Sequence, residues 1–212
     1  MSDIPNIIML TVILLSFFIL GSSRLGACIQ AVALQGAILA LLPVFMHGMT
    51  THSIILGLGA FLLKGLAIPW LLLRAIKQVK IKREIEPRIG YVPCLILGAL
   101  ATGCAFIFGD QLPLAGEHVH SLVIPASMAT LAMGFLLLIT RLKAITQVIG
   151  YLILENGIFL FGILLAEAMP LMVETGVLLD MLVAIFVMGI VMNHINREFS
   201  SINTEKLCLL RE

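Results

Sequence analysis

Residues 147–166 read QVIGYLILENGIFLFGILLA, twenty residues that carry one charge, Glu155, near the middle. A helix crossing a bilayer needs about 17–25 predominantly apolar residues. Within hydrocarbon each backbone N–H and C=O must be satisfied inside its own segment, so an uninterrupted run of this kind is a helix. The strict in/out alternation of a membrane barrel strand is absent from it. Runs of the same kind recur before and after it, at Ile4–Leu20, Ala27–Phe45, Ser53–Leu73, Tyr91–Gly109, Leu122–Ile139 and Met172–Met192. With Gln147–Ala166 these make seven predicted spans joined by short polar connections. The whole chain agrees, since 60% of its 212 residues are hydrophobic and 12% are charged, with a mean hydropathy of +1.13. A soluble domain is about half apolar and a quarter charged. The fold class is therefore an all-α polytopic membrane protein.

Charge sets the expected orientation. Arg24 follows the first span; Arg74, Lys77, Lys80, Lys82, Arg83 and Arg88 follow the third; Arg141 and Lys143 follow the fifth; Arg197, Lys206 and Arg211 follow the seventh. Every Lys and Arg except Lys64 thus falls on one side, and short basic loops stay in the cytoplasm. The predicted amino terminus is outside and the carboxyl terminus inside. Asp3, with no Lys or Arg ahead of the first span, makes that span a retained helix rather than a removable signal, which needs a basic start.

Two stretches at the cytoplasmic entrances of the second and sixth spans, Arg24–Gln30 (RLGACIQ) and Arg141–Gln147 (RLKAITQ), share the pattern R-L-x-A-x-x-Q. Spans one to three and five to seven also run in the same directions. This predicts two parallel three-helix units, residues 1–74 and 122–198, around a connecting stretch 75–121 that holds the basic loop and a linker helix, with a cytoplasmic tail at 199–212.

Three ionisable side chains lie well inside spans: Lys64, Glu155 and Asp180. Insertion of such a group at a helix centre costs about 2.5–3.5 kcal/mol, so the three together demand partners or a wet cavity. At a rise of 1.5 Å per residue, Lys64 and Glu155 both lie about 14 Å from the cytoplasmic ends of their helices, and Gln35 reaches a similar level. Gln147, Tyr151 and Glu155 follow at i, i+4 and i+8 and share one face of the sixth helix. His194 stands fourteen residues after Asp180, about four turns, beneath it on the seventh. Burial disfavours charge and brings acids and bases toward proton exchange at neutral pH. Lys64, Glu155, Asp180, Gln35, Gln147, Tyr151 and His194 are thus the candidate relay residues. Pure helix packing by a Lys64–Glu155 or Lys64–Asp180 pair is the competing reading.

Other chemistries are not supported. Cys28, Cys94, Cys104 and Cys208 lack metal-ligand spacing, the histidines have no fixed mutual geometry, and a net charge of +1 offers no field for nucleic acid. No cofactor, metal or catalytic residue is expected.

The segment Gly150–Gly157 (GYLILENG), followed by Asp180 and His194, resembles the last two helices of the three-helix K subunit of respiratory complex I and of the C subunit of Mrp-type antiporters. Those subunits carry one glutamate in each of the two helices. Glu155 stands at the first position; the second holds Asp180, whose arm is shorter. The seven-span frame, with Lys64 before Pro69 and E-N-G at 155–157, is similar over nearly the whole chain to component E of hydrogenase-4, a membrane subunit of group 4 nickel–iron hydrogenase and formate hydrogenlyase complexes. The resemblance implies a subunit without a redox centre, in a prokaryotic cell membrane. Its implied partners are antiporter-like and other membrane subunits and, indirectly, the nickel–iron hydrogenase module. It would form part of a polar axis along which electron transfer drives protons or sodium ions. A stand-alone secondary transporter and a non-conducting assembly scaffold remain as alternatives. The transporter needs discontinuous helices, and here only Pro69 is expected to interrupt a span.

Overall fold

The computed structural model describes residues 3–47, 51–79, 88–111, 122–165 and 189. Apart from Gly189, the seventh predicted span lies outside the described residues, and with it Asp180 and His194. The other six spans are helical. The first crossing is α1 (Asp3–Gly21). The second is α2 (Leu25–Leu39) continued by α3 (Leu42–His47). The third joins α4 (Thr51–Ala60), a π-helical segment (Phe61–Ala67) and α5 (Ile68–Val79). The last three are α6 (Tyr91–Gln111), α7 (Val123–Thr140) and α8 (Ala144–Leu165). Six helices are long and apolar enough to cross a membrane, and no strand occurs among the described residues. The protein is an all-α polytopic membrane protein.

Helices α1, α2, α7 and α8 make the centre of the bundle, the third crossing packs chiefly on α2, and α6 packs on α1 and α7. The apolar core falls into two clusters. One, at the end carrying Arg24, Arg74, Arg88 and Arg141, joins Ile19, Leu25, Ile29, Val32, Leu72 and Ile153. The other, at the opposite end, joins Met9, Ile13, Leu39, Met133, Phe159 and Leu160. Between them on α2 and α8 come Gln35, Glu155 and Asn156, all buried. Large side chains such as Leu14, Leu34, Leu100, Ile107 and Ile139 are exposed on the outside of the bundle, as a hydrocarbon solvent permits.

The contact between α7 and α8 is set by glycine. A Cβ on Gly134 would come within 2.6 Å of the Leu154 nitrogen, one on Gly157 within 2.8 Å of the Leu131 nitrogen, and one on Gly150 within 2.9 Å of Leu137 Cβ. Without a Cβ the two backbones can approach closely, which is how membrane helices associate when burial from water gives no drive. This approach fixes the height of Glu155, one residue beyond Leu154.

Two crossings depart from regular α-helix, where the sequence points to one interruption. Pro43 cannot donate to the ladder, and the second crossing breaks at Ala40–Leu41, where Ala40 donates to the Gly36 carbonyl and Leu41 to that of Ile38. Leu39, Ala40 and Leu42 are buried, so the break is packed. The third crossing departs at the π segment Phe61–Ala67, just ahead of Pro69. The Ile68 amide bonds to the Leu63 carbonyl, five residues back, and the next residue has no N–H to donate.

Arginine closes the basic end of the bundle. Arg141, read from sequence as a loop charge, is only 1% exposed. Its guanidinium donates to the Leu20 carbonyl at 2.7 Å and lies 4.9 Å from the centre of the Tyr91 ring, so it satisfies a carbonyl that the end of α1 leaves without a helical donor. The Arg88 amide does the same for Thr140 of α7 at 3.0 Å. Gly90, at φ +79°, makes the turn into α6, a conformation that costs glycine little. Arg24, the counterpart of Arg141 in the repeated pattern, is exposed, so the two arginines do different work.

Candidate functional site

Lys64 lies at the middle of the π segment. It leaves the third crossing on the side facing α2, where a Cβ on Gly36 would come within 2.8 Å of Lys64 Cβ, and one on Gly65 within 3.4 Å of Ala37 Cβ. From there its Nζ reaches Glu155 Oε1 of α8 at 2.9 Å, with the two side chains 13% and 3% exposed. Nζ also lies 4.9 Å from the centre of the Phe159 ring, one turn further along α8. An aromatic face adds attraction for a desolvated cation. Glu155 Oε2 is buried and accepts no hydrogen bond from any described residue. The carboxylate thus holds the ammonium with one oxygen and presents the other as an open acceptor.

Beside the ion pair runs a chain of neutral polar groups. Asn156 Nδ2 donates to Gln35 Oε1 at 3.3 Å. Gln35 Nε2 donates to Ser16 Oγ at 3.0 Å and to the Val12 carbonyl at 3.3 Å. Ser16 Oγ in turn donates to the Val12 carbonyl at 2.9 Å. These groups are all fully or almost fully buried, so α1, α2 and α8 are tied at one level, next to the contact between α8 and the third crossing. Buried polar groups bonded in this way specify one arrangement of the helices.

Of the seven predicted relay residues, the structure brings Lys64 and Glu155 into contact and puts Gln35 beside them, bonded to Asn156 rather than to the pair. Gln147, Tyr151 and Glu155 lie along one row of α8 and pass from exposed through half-buried to buried. Gln147 Nε2 donates to the Arg141 carbonyl at 3.1 Å. Asp180 and His194 lie outside the described residues. Sequence reading passed over Asn156, Ser16 and Phe159. Asn156 had a signal, standing between Glu155 and Gly157 where a side chain amide in lipid needs a partner. Ser16 had none, because a serine can bond its own helix, as it does here.

No protein-family model matches the chain, and no solved structure does. Uncharacterized protein Rv0085 of Mycobacterium tuberculosis is 32% identical over 204 residues, covering 94% of this chain and 92% of that protein. Hydrogenase-4 component E of Escherichia coli K12 and that of Shigella flexneri are each 26% identical over 155 residues, covering 72% of this chain and 71% of theirs. The chain belongs to one family with the mycobacterial protein and is a distant homologue of hydrogenase-4 component E.

Proposed function

We propose that the protein is a membrane subunit of a hydrogenase-type complex in which the Lys64–Glu155 pair relays protons during electron transfer carried out by its partners. The observation that carries this reading is the 2.9 Å contact between an acid and a base at the level where the two apolar clusters part. The distant relationship to hydrogenase-4 component E supports the kind of complex. In this reading a proton reaches the open Oε2 of Glu155 from the basic end, along the row marked by Gln147 and Tyr151. The carboxyl group becomes neutral and its hold on the Lys64 ammonium weakens. Lys64 then passes its proton on or turns to another acid, Asp180 being the second carboxylate that the sequence puts in a span. The likeness of helices six and seven to the complex I K subunit and the Mrp C subunit, and the pair of three-helix units, belong to the same proposal, as do antiporter-like neighbours. Affinity isolation of the tagged chain in mild detergent should recover other polytopic subunits and a nickel-containing subunit. Isolation of the chain alone as an active carrier would contradict it.

The same reading makes the basic end cytoplasmic, since Lys and Arg in short loops are retained there. A thiol introduced as Gln111→Cys, at the opposite end, should react with an impermeant reagent added to whole cells, while Ser23→Cys should not. Reversed labelling would invert the orientation.

A packing role is favoured by the same contact, because a direct ion pair is also what helix fixation requires. The two readings differ in what the double substitution at Lys64 and Glu155 restores.

A further inference from the structure

The third crossing carries exposed side chains at every fourth residue, Ile54, Leu58, Leu62, Leu66, Trp70 and Arg74, the five apolar ones between 49% and 59% exposed. On a regular α-helix such a row drifts steadily around the axis, because 3.6 residues make a turn. The wider π turn at Phe61–Ala67 takes more residues per turn and offsets part of that drift. At the basic end the row finishes in a cation: the Arg74 guanidinium lies 5.5 Å from the centre of the Trp70 ring. Residues 51–79 and 25–39 contain no Asp or Glu, and neither Arg74 nor Arg24, exposed at the same end of the neighbouring α2, forms an ion pair with a described residue.

We propose that this row is a docking site for one anionic phospholipid of the leaflet at the basic end. An acyl chain lies along Leu62, Leu66 and Trp70 and the phosphate meets Arg74, with Arg24 exposed at the same end of the bundle. The twelve residues from Leu62, at about the level of Lys64, to Arg74 amount to at most about 18 Å, close to the roughly 15 Å of hydrocarbon in one leaflet. A Trp near the interface with a cation one turn further toward the headgroups is the arrangement that membrane interfaces select. A transmembrane helix of another subunit fits less well. Close helix contacts use small residues, and the row itself holds none, since Gly57 and Gly65 face the second crossing and the row is built of Ile, Leu and Trp side chains. An arginine without an ion pair to any described residue also matches a phosphate by charge and by geometry.

Trp70 is the single tryptophan of the chain, so its fluorescence reports on this site alone. The full-length protein is reconstituted in phosphatidylcholine vesicles containing a minor fraction of phosphatidylglycerol, with bromine on the acyl chains of one lipid or the other. Quenching should show phosphatidylglycerol enriched around Trp70 by about fivefold over its bulk fraction, the factor expected for one cation at an anionic surface. Arg74→Gln should abolish the enrichment, and Arg88→Gln, the same charge change at the start of α6, should leave it intact. Equal quenching by the two lipids would overturn the site. So would equal losses in the two variants, or absence of quenching by either lipid, which would mean that polypeptide covers the row.

Discussion

Gly134→Ala should lower stability by about 1–3 kcal/mol, the cost of overfilling a close contact, and Gly134→Val should leave little folded protein in the membrane. The reason is the neighbour it would meet. The atoms within 2.7 Å of the new Cβ are the nitrogen, Cα and Cβ of Leu154, which cannot rotate away as the tip of a side chain could. Relief requires α7 and α8 to separate along the contact that also includes Gly150 and Gly157, and Glu155 moves with α8. Gly103→Ala in α6 and Gly59→Ala in α4 are the controls, because a Cβ at either position meets nothing within 4 Å. They should be neutral or stabilising by up to about 1 kcal/mol, since alanine is the better helix former. Thermal unfolding in detergent and steady-state levels in membranes would check this. A harmless Gly134→Ala beside a damaging Gly103→Ala would contradict the helix pairing.

Most of the architecture was legible because the bilayer imposes one length and one secondary structure. The six described spans fall within a few residues of their predicted bounds, and the common level assigned to Lys64, Glu155 and Gln35 by counting residues agrees with the contacts they make. Counting assumes regular helix, and it failed where backbone donors are missing. Pro43 breaks the second crossing, while Pro69 interrupts the ladder beyond a segment already bonded at five-residue spacing. Burial of Arg141 was equally invisible, since an arginine in a short loop normally points to water. Its destination depends on the end of α1 and the start of α6 arriving together, which no local pattern encodes. Direction was the other gap. Glu155 and Asn156 are adjacent in sequence, yet one meets the third crossing and the other meets α2.

Separating relay from packing requires both partners of the ion pair. Lys64→Met leaves the Glu155 carboxylate in a site where its side chain is 3% exposed, and breaking a buried pair by removing one partner costs about 3–5 kcal/mol. Reduced assembly is expected. Glu155→Gln is milder, because the amide oxygen can still accept from Lys64, which keeps the Phe159 ring. Joined in one protein, the two changes remove both charges, and the coupling measured by the cycle should be favourable. Assembly should then recover. Under the packing role, activity recovers with it. Under the relay role, the doubly substituted complex assembles but translocates no better than Glu155→Gln alone.

Proton uptake during electron transfer, measured in inverted membrane vesicles that contain the assembled Glu155→Gln complex, tests the central claim most directly. The account predicts normal subunit content and proton uptake slower by at least about a hundredfold, the usual worth of a positioned acid–base group. Proton uptake at the unsubstituted rate by the fully assembled variant would contradict it.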